Sequence, residues 1–249
     1  LFEWAGAIDK VMNENLLFLR CQKIQPVDSS NGNLPHYEIL LGIEKELATN
    51  PQEFVLAAEK WNRSADIDLW VLQQSFDWLR AQGDKLKAIS GISINLSGHS
   101  LASEKILNYI FHALETKSVP AEKLIFEITE TAVIHRMEIA QRFIEKIREF
   151  GCRFSLDDFG SGYSSFAYLK NLHVDYLKID GVFIRELAKS TTDFAMVKSM
   201  HQVGKALGLK TIAEYVENQA ILAKLGEIGV DYAQGYGVEI SRPISTLEL

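Results

Sequence analysis

Short β-type runs alternate with helix-type segments along most of this chain, and that alternation limits its fold more than any other feature. Apolar and β-branched runs predict eight strands, at 16–24, 37–42, 91–96, 123–128, 153–157, 174–179, 210–214 and 230–234. Helical spacing of apolar residues between them predicts helices that include 100–117, 136–150, 191–207 and 217–228. Strands that alternate with helices form mainly parallel sheets. About eight strands in 249 residues favour an α/β fold closed into a TIM-like (β/α)8 barrel over an open doubly wound sheet.

We expect residues 1–249 to form a single domain, in which residues 1–15 are an N-terminal amphipathic helix or linker region. A chain of 249 residues that is 47% hydrophobic can bury one large core. No repeat or low-complexity tract divides it, and no apolar run approaches the ~20 residues of a membrane span. The chain starts at Leu1 and not at Met, so we interpret it as a domain of a longer protein.

The charge balance is acidic, with a net charge of −7 and a pI near 5.5. This balance argues against DNA as a partner, because non-specific nucleic-acid binding needs a basic face. An anionic ligand stays compatible with it if metal ions supply positive charge. Cys21 and Cys152 lie in apolar strand-type runs, and we predict buried free thiols in a reducing compartment, which favours a cytoplasmic domain.

Polar side chains stand at or near the downstream ends of successive predicted strands: Asn95, Glu127, Asp157, Asp158, Lys178, Glu214 and Gln234. Glu38, within the run YEILLG, joins the same series. In barrels of alternating strands and helices, the chemistry is assembled from the carboxyl ends of several strands. Lys178 lies between Leu177 and Ile179, and this alternation fits a side chain that faces the barrel interior. The series therefore predicts one site on one rim of the barrel.

The acids in this series need compensation for their charge. Two carboxylates about 4 Å apart repel by ~4 kcal/mol at an effective dielectric constant near 20. The five acids, with Lys178 as the evident counter-charge, cannot all stay ionised unaided, so either several are protonated or cations lie among them. Oxygen donors without His or Cys suit Mg²⁺ or Mn²⁺ better than zinc. Adjacent acids at a strand end can reach two metal ions, an arrangement used to cleave phosphate esters.

Several of these residues also have a plainer interpretation. Asp157-Asp158 would be taken for an exposed loop pair if it stood alone, and Asn95 for the cap of the following helix. Gly160 and Gly162 fit a turn better than a phosphate-binding loop, because their spacing is not GxGxxG. The histidines lack metal-ligand spacing, and we predict surface or capping roles for His36, His99, His112, His135, His173 and His201.

Longer motifs occur along the same chain: YEILLG, SINLS, FEITET, SLDDFGSGYSSFAYLKNLHVDYLKID, TIAEYVEN and DYAQGYG. On these motifs the chain resembles the EAL-domain family, which hydrolyses the bacterial second messenger cyclic di-GMP. The resemblance extends over nearly the whole length and implies a two-metal site on a barrel, occupied by Mg²⁺ or Mn²⁺. It also implies a linear pGpG product, a homodimer, and an upstream sensor or GGDEF-type domain in the full-length protein.

The resemblance gives individual residues a role. It implies that the metals are held by Glu38, Asn95, Glu127, Asp157, Asp158 and Glu214. Lys178 is implied to position or help deprotonate the attacking water, and is grouped with Glu38 and Glu214 as catalytic. Substrate contacts are implied for Gln22, Leu40, Asp158, Gln234 and Glu217. Glu130 is implied to steady the loop 159–165, which in this family links metal binding to dimer formation.

Departures from the family pattern begin in the motif that gives the family its name. The motif reads Glu-Ile-Leu at 38–40, and Gly42 stands where active members usually carry an arginine that contacts the ligand. A charge-assisted bond of that kind is worth ~1.5–3 kcal/mol. The pair at 68–69 is Asp-Leu in place of a common Asp-Arg, and Tyr163 stands where leucine is frequent.

Two functions stay open at this point. The first is a working phosphodiesterase, which we favour because every implied metal ligand and the lysine are intact. The second is an EAL-type receptor that binds cyclic di-GMP without cleaving it and transmits a signal, which the missing arginine supports. Another metal-dependent barrel enzyme fits the fold alone, but the DDFGSG and LKID blocks argue against it.

Overall fold

The computed structural model describes residues 2–44, 51–162 and 166–249. Its strands are β1 (Leu17–Pro26), β2 (His36–Ile43), β3 (Gly91–Asn95), β4 (Leu124–Thr129), β5 (Arg153–Phe159), β6 (Tyr176–Ile179), β7 (Lys210–Ala213), β8 (Tyr232–Gln234) and β9 (Arg242–Pro243). Its α-helices are α1 (Phe2–Asn13), α2 (Pro51–Lys60), α3 (Ser64–Gln82), α4 (Glu104–Glu115), α5 (Glu130–His135), α6 (Met137–Arg148), α7 (Gly181–Ile184), α8 (Thr191–Ala206) and α9 (Gln219–Ile228).

Eight strands close a barrel. They follow one another in the order β2-β3-β4-β5-β6-β7-β8-β1, and β1 pairs with β2 to complete the circle. Each neighbouring pair from β2 to β8 is parallel, whereas β1 is antiparallel to both β2 and β8. The short β9 pairs with β1 at Arg20 and Cys21, beyond the part of β1 that pairs with β8. The predicted TIM-like barrel is confirmed, with one strand reversed.

The reversal of β1 follows from its connection to β2, which contains no α-helix. The loop has one 3₁₀ turn at Ser29–Asn31, and the Asp28 side chain accepts a hydrogen bond from the Ser30 amide at 2.8 Å. A parallel pair needs a long crossover, but an antiparallel pair can be joined by a short loop. The β1–β2 ladder extends to Ile43, whereas β2 pairs with β3 only up to Ile39. Residues 40–43 therefore continue past the barrel beside β1.

Element ends differ from the prediction in three places. The first strand was expected to end before Pro26, but β1 includes Pro26, which pairs with Tyr232 at the strand terminus. A short helix, α5, precedes the predicted helix at 136–150, because the Thr129 side chain caps it by accepting from the Ala132 amide at 3.3 Å. The predicted tail contributes β9. Tyr163 lies outside the described residues.

A layer of mostly apolar side chains closes the barrel interior below its carboxyl end. It contains the buried cluster Ile24, Ile125, Tyr176, Ile212 and Tyr232. Because strand side chains alternate between faces, four of these residues share a face with the residue two positions further on. Those later residues are Glu127, Lys178, Glu214 and Gln234. One apolar layer thus forms the floor beneath the polar series.

Two histidines contradict the prediction of surface or capping roles. His36 is fully buried, with its ring 5.2 Å from that of Tyr176 and 5.1 Å from that of Tyr232. Burial lowers the pKa of His36 to about 3, so the ring is neutral. His201 is also buried, and its Nδ1 lies 2.8 Å from the Thr211 hydroxyl. The prediction for His36 was wrong because the residue begins β2 and faces the barrel interior. In the sequence it directly follows a loop-type segment, so it was interpreted as part of the loop.

The cysteine prediction agrees with the structure. Cys21 and Cys152 are buried and free, and burial raises the pKa of these thiols to about 11 and about 12. Both groups are therefore neutral thiols, packed as small apolar side chains.

Among the described residues, no helix combines the length and the apolar character needed to cross a bilayer.

Candidate functional site

Four carboxylates surround one ammonium group at the carboxyl end of the barrel. Lys178 Nζ lies 3.2 Å from Glu38 Oε2, 2.8 Å from Glu127 Oε2, 3.1 Å from Asp157 Oδ1 and 3.1 Å from Glu214 Oε1. The five residues come from β2, β4, β5, β6 and the position that follows β7. We call the four acids the acid ring. The structure therefore brings together side chains that are up to 176 positions apart, from Glu38 to Glu214.

The charge state of the lysine is set by its neighbours. Lys178 is fully buried, and desolvation alone would lower the pKa of its ammonium. The carboxylates of Asp157, Glu127, Glu214 and Glu38 outweigh that effect and raise the pKa well above the usual value. Lys178 is therefore a permanent cation while the acid ring faces it. An isolated buried lysine would tend to be neutral instead.

The acids of the ring do not share one protonation state. Desolvation, together with the charges of Glu38 and Asp157, raises the pKa of Glu127 to about 8, against the opposing pull of Lys178. Burial likewise raises the pKa of Glu214 well above its usual value. The pKa of Glu38 is lowered despite its burial, because Lys178, Gln234 and Asn95 all donate to its carboxylate. Part of the ring takes up protons, as the repulsion between crowded acids requires.

Glu38 is the most heavily bonded acid of the ring. Asn95 Nδ2 donates to its Oε1 at 2.7 Å, and Gln234 Nε2 donates to its Oε2 at 2.6 Å. With the amide nitrogen of Asn95 turned toward Glu38, the amide oxygen is left to face another partner. Asn95 was also considered as a helix cap, but in the structure its side chain belongs to this cluster.

Asp157 and Asp158 reach the same site because β5 is irregular at its end. The pairing of β5 with β6 shifts between Leu156 and Phe159, and Asp158 has a φ of +55°, in the left-handed region. In a regular strand, two consecutive side chains would point to opposite faces. A bulge re-aims side chains, and such bulges are common beside active sites. Carboxylate oxygens of Asp157, Asp158 and Glu214 consequently lie within 4.8 Å of one another.

The donor set fits a hard divalent cation. The oxygens of Asp157, Asp158 and Glu214 converge closely enough to share an ion, and all are the oxygen ligands that Mg²⁺ and Mn²⁺ prefer. Glu127 Oε1 is buried and accepts no hydrogen bond from the described residues. Burial and the charge of Asp157 raise the pKa of Asp158 to about 6. A buried acceptor without a donor and acids with raised pKa values are what cation binding would relieve.

Of the residues for which the resemblance implies substrate contact, three lie beside the acid ring and Glu217 lies apart from it. Gln234 is buried and links the acid ring to β1, because its Nε2 also donates to Gln22 Oε1 at 3.1 Å. Leu40 is half-buried, two positions beyond Glu38 on the same face of β2. Glu217 is exposed in the loop after β7, outside this hydrogen-bonded group.

Glu130 supports the loop that follows Asp158. Its Oε2 accepts from the Gly160 amide at 3.0 Å, and its Oε1 accepts from the Tyr168 hydroxyl at 2.6 Å. The described ends of the loop predicted at 159–165 are therefore joined by one buried carboxylate; residues 163–165 lie outside the described parts. The loop-steadying role of Glu130 stays a prediction.

Asp68 supports the segment after Asn95, and its role was not predicted. The side chain projects from α3, and its Oδ2 accepts from the Ser97 amide at 2.8 Å and from the Ser100 hydroxyl at 2.6 Å. Burial raises the pKa of Asp68. Only the packing of α3 against the end of β3 reveals this pairing. The short SxxS spacing at 97–100 was the one signal in the sequence that this turn needs an acceptor.

Asp68→Ala should therefore loosen the segment that positions Asn95. We expect a loss of about 1–3 kcal/mol in the free energy of unfolding, since a backbone amide and a hydroxyl lose their acceptor. Chemical denaturation measures this change. Asp66→Ala on the same helix is the matched control. Among the described residues, the side chain of Asp66 pairs with the partly exposed Arg63 alone, so the change should alter stability by less than ~0.5 kcal/mol. Equal effects of the two substitutions would contradict the assigned role.

The departure at Gly42 has a structural counterpart on β1. Gly42 pairs with Phe18 across the ladder, and a Cβ atom at Gly42 would lie 2.6 Å from the Phe18 ring. Real Cβ atoms do not approach other atoms so closely, so any side chain at 42 requires the ring to move. An arginine at position 42 would therefore clash with Phe18 in its present position.

The described geometry is a mainly parallel barrel with one reversed strand and an acid-lined mouth, and known proteins share it. The family model described as "EAL domain" matches residues 21–243. The chain is 38% identical over 246 residues to cyclic di-GMP phosphodiesterase PdeB of Shewanella oneidensis, covering 98% of this chain and 28% of that protein. It is 32% identical over 239 residues to cyclic di-GMP phosphodiesterase PdeF of Escherichia coli, covering 95% of this chain and 31% of that protein.

A solved structure has the same architecture. The PaMucR phosphodiesterase in its c-di-GMP complex superposes with a TM-score of 0.88 at 30% identity, covering 99% of this chain and 100% of that one. The match to the family model spans most of the sequence. The chain therefore belongs to the EAL domain family. It spans about a third or less of the length of the curated relatives named above.

Proposed function

We propose that this chain hydrolyses cyclic di-GMP to linear pGpG in bacterial second-messenger signalling. The observation that carries the proposal is the acid ring with its buried lysine, beside a cluster of oxygen donors suited to divalent cations. The relatives PdeB and PdeF carry cyclic di-GMP phosphodiesterase in their names, and the PaMucR structure is a c-di-GMP complex. These facts support the substrate, and the site supports the reaction class.

The proposed cofactor is a pair of Mg²⁺ or Mn²⁺ ions. They would be held by oxygen donors of Glu38, Asn95, Glu127, Asp157, Asp158 and Glu214. When bound, such ions stabilise negative charge on phosphoryl oxygens and lower the pKa of water. Among these donors, Asp157 and Asp158 come from one strand end, so both would be able to ligate ions in the same site.

Lys178 is proposed to orient the attacking water by donating a hydrogen bond to it. Its raised pKa makes it a donor and not a proton acceptor while the acid ring faces it. Glu38 and Glu214 are proposed to share in the catalysis by holding the ammonium in place. In-line attack by this water on one phosphodiester forms a new P–O bond and breaks the P–O bond to the ribose, which opens the cyclic dinucleotide. The water gives up one proton and the departing ribose oxygen takes one up, which yields pGpG.

The substrate is proposed to lie across the barrel mouth. Gln22 and Gln234 would supply amide donors, Leu40 an apolar contact, and Glu217 and Asp158 acceptors for groups of the guanine or ribose. A homodimer, a cytoplasmic location and an upstream sensor or GGDEF-type domain complete the proposal. The loop that Glu130 supports is the proposed link between the metal site and the dimer.

Product analysis tests the proposed reaction. Purified protein with Mn²⁺ should convert cyclic di-GMP to pGpG, identified by chromatography and mass. Excess EDTA should stop the conversion and added Mn²⁺ should restore it, because the acid ring alone carries no means of stabilising phosphoryl charge. Binding of cyclic di-GMP without any turnover, in either metal, would contradict the proposal and favour a receptor.

A further inference from the structure

In the described part of the site, the positive charge of Lys178 is already matched by carboxylates and is not free to bind an anionic ligand. Lys178 is the cation inside the acid ring, and all four carboxylates already face it at 2.8–3.2 Å. A cyclic dinucleotide brings two phosphodiester groups, each with one negative charge. Metal ions would neutralise the phosphate that reacts, and the second phosphate would need a further cation. A guanidinium on the wall of the mouth would serve this second group, because its planar fork matches phosphate oxygens.

Arg20 lies on that wall. In the β1–β2 ladder, Gln22 pairs with Glu38 and Arg20 pairs with Leu40. Because side chains alternate along a strand, Arg20 and Gln22 share one face of the ladder with the two residues they oppose. Arg20 is thus one step beyond Gln22 toward the carboxyl end of β2, about 7 Å along the strand. On this face of the ladder, the pair Gln22–Glu38 lies beside the acid ring, and the pair Arg20–Leu40 comes next.

The contacts of Arg20 fix its guanidinium by one edge. Its Nε donates to the Ser241 hydroxyl at 3.3 Å, and its Nη2 donates to that hydroxyl at 3.2 Å and to the Ser241 carbonyl oxygen. In the described parts of the chain, Nη1 has no hydrogen-bond or ion-pair partner. Arg20 is half-buried, so part of its side chain is exposed to solvent. A side chain held on one edge and open on the other has little conformational freedom left to lose on binding.

The residues on the two sides of Arg20 differ in character. Gln22 Nε2 donates to the Glu239 carbonyl oxygen at 3.1 Å, so Gln22 and Arg20 hold the same segment, 239–241. On the far side, Gly42 presents no side chain, and the Phe18 ring covers its Cα. On this face of the ladder, Arg20 consequently lies between the acid ring on one side and Phe18 with Gly42 on the other. Lys23, the next cation on β1, pairs with Tyr37 on the opposite face.

We propose that Arg20 is a substrate-binding residue that donates from Nη1 to an oxygen of the phosphate that is not cleaved. This inference rests on the proposed function, since it takes cyclic di-GMP as the ligand. It makes Arg20 a determinant of affinity, and it leaves the chemical step to the acid ring and Lys178. The tether to Ser241 positions the guanidinium before the ligand arrives.

The test compares four single variants by KM and kcat for cyclic di-GMP with Mn²⁺, and by Kd in Ca²⁺ at several salt concentrations. Arg20→Gln should raise KM and Kd about 10- to 100-fold and change kcat less than about threefold, because a charge-assisted bond is lost from binding alone. Arg20→Lys should recover part of the affinity. Lys23→Gln, the matched control on the other face, should stay within about threefold of wild type. Ser241→Ala removes the hydroxyl of the tether and keeps the carbonyl acceptor, so it should raise KM and Kd less than Arg20→Gln does.

Salt dependence separates a charge contact from a merely structural role. The loss caused by Arg20→Gln should shrink as salt rises, since screening weakens the wild-type contact. If Arg20→Gln binds as tightly as wild type, or if Ser241→Ala reproduces its whole effect, the inference is wrong. A folded wild-type protein that neither binds nor cleaves cyclic di-GMP would overturn the proposed function itself, and this inference with it. Normal wild-type activity with no effect at Arg20 would overturn the inference alone.

Discussion

Replacing Lys178 by methionine should destabilise the metal-free protein by about 3–5 kcal/mol, because breaking a buried ion pair leaves uncompensated charge in the interior. The substitution keeps the length of the side chain and removes one positive charge from among four carboxylates. Turnover should fall by at least about 100-fold, since the proposed water-orienting donor is lost. Denaturant unfolding in EDTA measures the first effect, and steady-state hydrolysis with Mn²⁺ measures the second.

The destabilisation should depend on pH in a defined direction. Glu127 already has a pKa of about 8, well above the usual value for a glutamate. Its protonated form is thus favoured in the fold, and the stability it contributes is lost as pH rises from about 4.5 through about 8. Removing Lys178 raises the pKa values of the ring further, so the loss in Lys178→Met should be larger at pH 8 than at pH 5.

Lys210→Met is the matched control for this substitution. Lys210 lies at the opposite end of the same barrel, where it is exposed and bonds Asn33 at 3.1 Å. It should alter stability by less than ~1 kcal/mol at either pH. A Lys178→Met protein as stable as wild type in EDTA would mean that the lysine does not compensate the acid ring.

Replacing Glu38 by glutamine should lower turnover at least about 1000-fold while the fold persists. Glutamine keeps the shape, but it loses the charge and one acceptor oxygen, so it cannot accept from Asn95, Gln234 and Lys178 together. It also removes a proposed metal ligand at the centre of the site. Stability should change by less than about 2 kcal/mol, because the loss of one negative charge relieves repulsion within the ring. Binding of cyclic di-GMP should weaken less than about tenfold.

The matched control is Glu44→Gln, which alters an exposed glutamate directly after the same strand. Its activity should equal that of wild type. Full activity in a well-folded Glu38→Gln protein would remove Glu38 from the catalytic set. Unfolding of that variant would instead be detected by circular dichroism and would count against the expected balance of charge.

Much of the barrel could be predicted because its strands have a period of two and its helices a period of 3.6. The polar series was equally accessible, since Glu127, Lys178, Glu214 and Gln234 each follow an inward-facing residue by two positions. The missed features depend on contacts between distant segments. The burial of His36, the support from Asp68 and the tether of Arg20 to Ser241 are set by packing and strand register, which one sequence does not display.

The bulge at the end of β5 is a further example. The sequence places Asp157 and Asp158 side by side, and alternation would have sent them to opposite faces. Only the shift in pairing between β5 and β6 and the left-handed φ of Asp158 turn both toward Glu214. Local backbone irregularity at a functional site is a common exception to strand periodicity.

The acid ring and its neighbours are proposed to form a divalent-cation site that cleaves cyclic di-GMP. The most direct measurement is the initial rate of pGpG formation against free Mn²⁺ concentration, with bound Mn²⁺ counted by equilibrium dialysis of the same samples. We predict no turnover in the metal-free protein and a rate that saturates as two ions bind per chain. Turnover that persists after complete chelation, or a protein that binds no Mn²⁺ and still cleaves the substrate, would contradict this account.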